Sequence, residues 1–164
     1  MASKARTLFL VSLLIMVVAV VGPIAAEAQL GIISGLLGLI NVHGTVFCTA
    51  NGNMGANGTA TPVFPNAGVQ LQCGSTIIST TTTNAAGVFS ILLDPLRFIL
   101  TTLLNDCSVR VTTPLSTCNA TLPSVGGILS SPLQFVGDIL VGLLRVTQLV
   151  PTGFNLLPPN SNNN

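Results

Sequence analysis

The chain has 164 residues, of which 49% are hydrophobic and only 5% are charged, and its formal net charge at pH 7 is +1. It contains neither tryptophan nor tyrosine. So small a charge excludes recruitment to nucleic acid or to anionic lipid by electrostatic attraction. It also removes the self-repulsion that keeps proteins apart in solution, so we expect no nucleic-acid partner and a tendency to self-associate.

The N-terminal residues are typical of a secretory signal peptide. Two basic residues precede an apolar run (8–21), and residues 26–28 (AEA) place small side chains at the two positions that a signal peptidase recognises. A membrane anchor is the alternative interpretation, but Gly22-Pro23 would interrupt the helix. We therefore predict a signal peptide at residues 1–28, a mature chain that begins at Gln29, and an extracellular location.

Residues 29–40 (QLGIISGLLGLI) form an apolar, glycine-spaced segment that is too short to span a membrane. On a helix its small residues would line one face, which suits lipid contact or self-packing. A flexible linker or a first strand is the open alternative, because so many small residues weaken a helix. We expect one domain at residues 41–157, followed by a disordered polar tail at residues 158–164.

In this domain the hydrophobic pattern has a period of two, which is typical of strands with one buried face. The alternation is clearest at residues 42–48, 69–73 and 107–111, and turn-forming residues lie between these segments. Residues 80–91 resemble a β-hairpin around an Asn-Ala-Ala-Gly turn, with threonines on a half-exposed face. Residues 133–150 predict two further strands separated by a turn.

One stretch departs from the alternation. After Pro95, four apolar residues (Leu96, Ile99, Leu100 and Leu103) have helical spacing and predict a short helix between residues 95 and 104. The remaining short strands and frequent turns favour an all-β fold, specifically a small immunoglobulin- or transthyretin-like β-sandwich.

Four cysteines, Cys48, Cys73, Cys107 and Cys118, occur in what we predict to be a small secreted domain. They indicate two disulfides, and their spacing alone does not choose among the three pairings. A zinc site is the alternative, but no Cys-x-x-Cys pair is present and there is one histidine. We expect no metal and no cofactor.

Two Asn-x-Thr acceptors for N-linked glycans are present, at Asn57 and at Asn119. Both lie among turn-forming residues, where a glycan fits on the surface. In a secreted chain they predict N-glycosylation at these two asparagines.

Catalysis needs polar groups that converge, and residues 29–164 contain few of them: one histidine, three aspartates, and neither glutamate nor lysine. No Gly-x-Ser-x-Gly motif is present. His43, beside a strand glycine, is more typical of a surface position than of a catalytic triad. Asp94 and Asp106 are expected to satisfy turns and not to form the facing carboxyl pair of a glycosidase. We predict that the chain is not an enzyme.

Apolar surfaces are the remaining candidates for function. They are residues 29–40, residues 95–104 and the cluster of Ile139, Leu140, Leu143 and Leu144, although such residues more often belong to a core. The six phenylalanines of the mature chain are expected mainly in the core, which argues against a lectin.

Four sequence blocks resemble the phylloplanins: GTVFC (44–48), PNAGVQLQCGS (65–75), TPLSTCNATLPSV (113–125) and PTGF (151–154). Phylloplanins are plant proteins that short glandular trichomes release onto the leaf surface, where they act against oomycete and fungal spores. The resemblance implies a secreted defence protein that inhibits spore germination or growth by a non-enzymatic, hydrophobic or binding mechanism. The implied partner is the spore surface or membrane, and no catalytic residues come with it.

The first block also resembles, more distantly, the olive-pollen major-allergen family of extracellular β-sandwiches, whose full pattern has six cysteines. Asn51 stands where that pattern has a further cysteine, so one of its disulfides is absent. The remaining pattern implies the pairs Cys48 with Cys118 and Cys73 with Cys107. This resemblance also implies an alternative function, that of a structural or developmental cell-wall protein that binds wall polymers.

Overall fold

In the computed structural model, the described residues are 38–56, 58–122 and 127–158. The predicted signal peptide, residues 29–37, Asn57, residues 123–126 and residues 159–164 lie outside them. The described residues form eight strands and one α-helix. These are β1 (Gly38–Thr45), β2 (Gly68–Cys73), β3 (Thr76–Thr82), β4 (Val88–Leu93), α1 (Leu100–Asp106), β5 (Cys107–Val111), β6 (Ile128–Val141), β7 (Leu144–Pro151) and β8 (Asn155–Leu157).

The strands follow one hydrogen-bonded path in the order β3-β2-β5-β6-β7-β1-β4, and β8 pairs with β6 beside it. The pairs are antiparallel except β1 with β7. Strand β6 joins the two halves of the path, because residues 129–132 pair with β5 and residues 133–141 lie along β7. The two terminal strands of this path, β3 and β4, contact each other, so the sheet is barrel-like. The all-β class is confirmed, and the immunoglobulin- or transthyretin-like sandwich stays a prediction.

Alternating apolar residues of the strands fill the interior, as the period of two predicts. Val42, Leu71, Val109 and Leu149 are fully buried, and Leu71 lies directly opposite Val109 across β2 and β5. Each such side chain contributes about 1.5 to 3 kcal/mol through its removal from water. The core therefore lies between the two halves of the sheet, β3-β2-β5 and β7-β1-β4.

The hairpin predicted over residues 80–91 is wrong, although both of its strands exist. β3 pairs with β2 and β4 pairs with β1. The N–H of Thr83 bonds the carbonyl of Ala67, and after the turn the N–H of Val46 bonds the carbonyl of Gly87 at 2.9 Å. Gly87 has a φ of +73°, and a Cβ there would lie 2.7 Å from the Val46 carbonyl oxygen. Only glycine allows the chain to cross here from one half of the sheet to the other.

The predicted short helix is present, but it begins at Leu100. Before it, the carboxylate of Asp94 accepts the N–H of Leu96 at 2.9 Å and forms a turn, as expected for that aspartate. Ile99 is extended (φ −81°, ψ 129°), so the chain is not yet helical there. The helix buries Leu103, whereas Leu96 and Ile99 are each 69% exposed.

The first strand begins earlier than the predicted domain boundary. Gly38, Leu39 and Ile40, which we assigned to the apolar N-terminal segment, form its first three residues and lie along β7. Among the described residues, no helix is both long and apolar enough to cross a membrane.

Candidate functional site

The polar side chains considered for catalysis do not assemble in the described residues. His43 lies opposite Ser90 across β1 and β4, but the Ser90 hydroxyl donates its hydrogen bond to Asn41 Oδ1 at 2.7 Å. Asp138 accepts a hydrogen bond from the hydroxyl of Thr147 at 2.8 Å. In the part of the chain that the structure describes, no three His, Cys, Asp or Glu side chains are grouped as metal ligands would be.

The four cysteines form two disulfides, Cys48 with Cys118 and Cys73 with Cys107. This is the connectivity that the family resemblance implied. Cys73 and Cys107 are direct partners across β2 and β5, and the other bridge ties the loop after β1 to the turn that follows residues 115–117. All four cysteines belong to the core or pack against it, so the bridges stabilise the domain.

Asn119, one of the two predicted glycosylation sites, lies on the surface next to a disulfide. Its side chain is exposed, and its Oδ1 accepts hydrogen bonds from the backbone N–H and the hydroxyl of Thr121 at 3.0 and 2.8 Å. The acceptor motif is thus held in a compact turn that solvent reaches. The other predicted site, Asn57, lies outside the described residues.

The hairpin of β6 and β7 carries apolar side chains into solvent, and we call residues 135–144 the apolar arm. Successive residues of a strand point to opposite faces. Ile139, Leu140 and Val141 are nevertheless 50%, 75% and 59% exposed. Both faces of the arm are therefore open to solvent, which means that the arm projects beyond the core.

A two-residue turn forms the tip of the arm. Val141 and Leu144 are paired across the hairpin, and Gly142 between them has a φ of +65°. A glycine with positive φ at the first central position, followed by a residue with negative φ, is typical of a type II′ turn, whose twist matches that of the strands. The second central residue, Leu143, is 87% exposed. The turn therefore presents a leucine at the outermost point of the arm.

The base of the arm contains an irregularity in the ladder. The pairing of β6 with β7 shifts register between Phe135 and Gly137, and an extra residue of this kind locally twists and bends a strand. Phe135 and Val136 are both about half exposed as a result. The bulge thus extends the apolar surface from the tip to the base.

The arm has one charged residue, Asp138. Its carboxylate lies 4.0 Å from the guanidinium of Arg145, the residue that follows the arm on the adjoining strand. The pair is largely exposed, so its contribution to stability is below about 1 kcal/mol. Because these charges balance each other, contacts made by the arm depend on apolar surface.

A family model described as "Phylloplanin antifungal protein" matches residues 36–161. The curated phylloplanin of Nicotiana tabacum is 45% identical over 138 residues, which cover 81% of this chain and 87% of the relative. The chain belongs to the phylloplanin family. The resemblance identified from the four sequence blocks is thereby confirmed.

Among solved structures, the crystal structure of the major plantain pollen allergen Pla l 1 matches with a TM-score of 0.36 and 15% sequence identity. The match covers 76% of this chain and 99% of the allergen. At that level of similarity, no conclusion about the function of this phylloplanin-family chain follows from the allergen.

The apolar arm lies within the residues that match the phylloplanin family model. Of the cluster identified in the sequence, Ile139, Leu140 and Leu143 are exposed and Leu144 is half-buried. The sequence interpretation missed Phe135, Val136 and Val141. Phe135 is an exception to the expectation that the phenylalanines lie mainly in the core. Residues 139–141 are apolar without alternation, a pattern that is typical of a strand buried on both faces, so the local pattern gave no signal of their exposure.

A second apolar surface lies beside the turn that precedes α1. Leu92, Leu96 and Ile99 are each more than 60% exposed. Leu96 and Ile99 belong to residues 95–104, one of the three candidate apolar surfaces of the sequence. These residues provide a control surface of similar apolar composition outside the arm.

Proposed function

We propose that this member of the phylloplanin family is a secreted plant-surface defence protein that inhibits the germination or growth of oomycete and fungal spores. It acts without enzymatic activity, through contact of the apolar arm with an uncharged, apolar surface of the spore. Family membership supports the antifungal role. The observation that carries the mechanism is the arm itself, with six exposed apolar side chains on a disulfide-bonded domain.

The energetics favour apolar contact over attraction by charge. Burying a leucine side chain that was exposed yields about 1.5 to 3 kcal/mol, and Leu140 and Leu143 are the most exposed residues of the arm. A mechanism that depends on anionic lipid needs basic residues. The described arginines are Arg97, Arg110 and Arg145, and two of them pair with aspartates.

The double variant Leu140→Ser/Leu143→Ser tests this proposal. Its matched control is Leu92→Ser/Leu96→Ser, which removes two leucines of similar exposure outside the arm. We expect the arm variant to lose at least about tenfold in potency against spore germination, since about 1.4 kcal/mol of lost contact is a factor of ten. The control should keep the potency of the unmodified protein. Equal potency of the two variants would refute the arm as the active surface.

Dye release from vesicles distinguishes contact with the spore surface from disruption of a membrane. The protein is added to dye-loaded vesicles of neutral phosphatidylcholine at the concentrations that stop germination. Dye release that depends on Leu140 and Leu143 would place the action in the lipid bilayer. Germination arrest without dye release would exclude membrane disruption and leave contact with the spore wall.

A second candidate, a structural protein that binds wall polymers, is favoured by a different face of the molecule. Because Val69, Leu71 and Val109 point into the core, the intervening residues of β2 and β5 point outward. With neighbouring threonines they form a hydrogen-bonding surface that contains one charged residue, an arginine: Gln70, Gln72, Thr80, Thr82, Ser108 and Arg110. Such a surface suits polysaccharide hydroxyl groups.

Binding to isolated plant cell walls tests the second candidate. The variant Gln70→Ala/Thr80→Ala should lose wall binding, and Leu140→Ser/Leu143→Ser should retain it. Immunolocalisation gives an independent criterion, because defence requires the protein on the leaf surface. Retention in growing walls would support the structural role.

A further inference from the structure

We propose that two copies of this protein associate through the open edge of β6 at Asp138–Val141. The two β6 strands pair antiparallel about a two-fold axis, so that the hairpins of both copies form one four-stranded sheet. This inference does not depend on the proposed defence function.

The edge is open because β6 is longer than its neighbour on one side. Strand β5 pairs with β6 only along Leu129–Pro132, whereas β7 follows the opposite side up to Val141. Among the strands of the described residues, none pairs with Asp138–Val141 on the side away from β7. This part of the strand therefore has one edge with which no described strand pairs.

The hairpin turn determines which backbone groups face that edge. Val141 and Leu144 close a two-residue turn, and the residues that flank such a turn bond to each other. In an antiparallel pair, residues alternate between bonding the partner and facing away from it. The N–H and C=O groups of Leu140 and Asp138 consequently face the open side. Such a row of backbone groups is a template for another strand.

The features that normally protect an edge strand are scarce here. Lysine, proline or a covering element usually prevents edge-to-edge pairing. Residues 135–144 contain neither lysine nor proline. Their one acidic side chain, Asp138, is engaged by Thr147 and Arg145 within the same hairpin. The bulge lies at the base of the arm, and residues 138–141 keep a regular register with β7.

A second copy fits this edge in both charge and side-chain chemistry. Residues 29–164 carry three arginines and three aspartates, and Arg145 lies beside the carboxylate of Asp138, so two copies meet without net repulsion. Pairing of the two edges brings Ile139, Leu140 and Val141, each at least half exposed, next to the same residues of the second copy. Apolar side chains that are neighbours across paired strands stabilise a sheet.

Sedimentation of the purified, disulfide-bonded protein tests the association, with interference optics because the chain lacks tryptophan and tyrosine. Leu140→Lys places a positive charge on the proposed edge. Leu143→Lys is the matched control, with the same charge at the tip. Far-UV circular dichroism and a thiol assay establish that both variants are folded.

We expect the unmodified protein and Leu143→Lys to dimerise at micromolar concentrations and Leu140→Lys to remain monomeric. An unmodified protein that stays monomeric up to roughly 100 μM, far above the micromolar range expected for the dimer, would overturn the proposal. Equal loss of dimer in both variants would also overturn it, since it would indicate nonspecific apolar contact instead of strand pairing.

Hydrogen exchange locates the contact directly. The backbone amides of Asp138 and Leu140 should exchange rapidly in dilute protein and slow down by tenfold or more when the dimer forms. Amides of the other edge strand, β3, should not change with concentration. Concentration-independent exchange at Asp138 and Leu140 in a dimeric sample would place the interface elsewhere.

Discussion

At the scale of single residues, Thr83 shows how one buried polar side chain joins two segments of the chain. The residue is 2% exposed. Its hydroxyl donates a hydrogen bond to the carbonyl of Phe64 at 2.6 Å and accepts one from the N–H of Ala67 at 2.8 Å. Both backbone groups would lack a partner without this hydroxyl. A buried group without a partner costs about 1 to 3 kcal/mol.

Thr83→Val keeps the shape of the side chain and removes the hydroxyl, so it tests this role. We expect the free energy of unfolding to fall by about 2 to 4 kcal/mol, because a buried donor and a buried acceptor both lose their partner. Urea unfolding followed by circular dichroism measures the change. Thr80→Val, on an exposed position of β3, should change it by less than about 0.5 kcal/mol. Similar values for the two variants would contradict the role assigned to Thr83.

A second prediction at this scale concerns glycosylation of Asn119. Because the acceptor motif is exposed and held in a turn, we expect protein expressed in plant cells to carry a glycan there. Peptide-N-glycosidase treatment should reduce the mass, and Asn119→Gln should remove one glycan. Asn57→Gln reports separately on the other predicted site. An unmodified peptide containing Asn119 in secreted protein would refute the prediction.

At the scale of elements, the two disulfides join segments that are far apart in sequence. Cys48 and Cys118 are 70 residues apart, and Cys73 and Cys107 are 34 residues apart. A crosslink restricts the unfolded chain more strongly when it closes a longer loop. The two bridges should therefore contribute unequally to stability.

Replacement of each cysteine pair by alanine tests this difference. We expect each double variant to lose about 4 kcal/mol, with the larger loss, by about 0.5 kcal/mol, for the pair Cys48 and Cys118. Urea unfolding of both variants under the same conditions provides the comparison. A larger loss for the Cys73 and Cys107 pair would show that contacts within the folded state outweigh loop closure.

At the scale of the whole molecule, the balance of charges determines how the protein responds to salt. Residues 29–164 carry three arginines and three aspartates and so have no net charge, which leaves little electrostatic attraction for salt to screen. Adsorption to a wax-coated surface should change by less than about twofold between low salt and roughly 0.5 M salt, where the Debye length is only a few ångströms. A basic lytic peptide, measured in parallel, should lose adsorption to anionic vesicles steeply. A steep salt dependence for this protein would contradict adhesion through apolar surface.

Much of the fold could be predicted from local pattern. A period of two places successive side chains on opposite faces, and this correctly identified the buried positions around Val42, Leu71 and Val109. The hairpin at residues 133–150 was predicted because a glycine-containing turn separates two apolar runs. The sequence blocks were sufficient for the family, which the comparisons confirm.

The sequence by itself determined that the domain consists mainly of strands, which side of the strands at 69–73 and 107–111 faces the core, and the family. Only the tertiary structure decided that β3 and β4 pair with different strands and that both faces of residues 139–141 are open to solvent. The physical reason is that period and turn chemistry act between neighbours in the chain. What covers a face or an edge depends on segments far away in sequence, here β5, which ends its pairing with β6 at Pro132 and leaves the apolar arm uncovered.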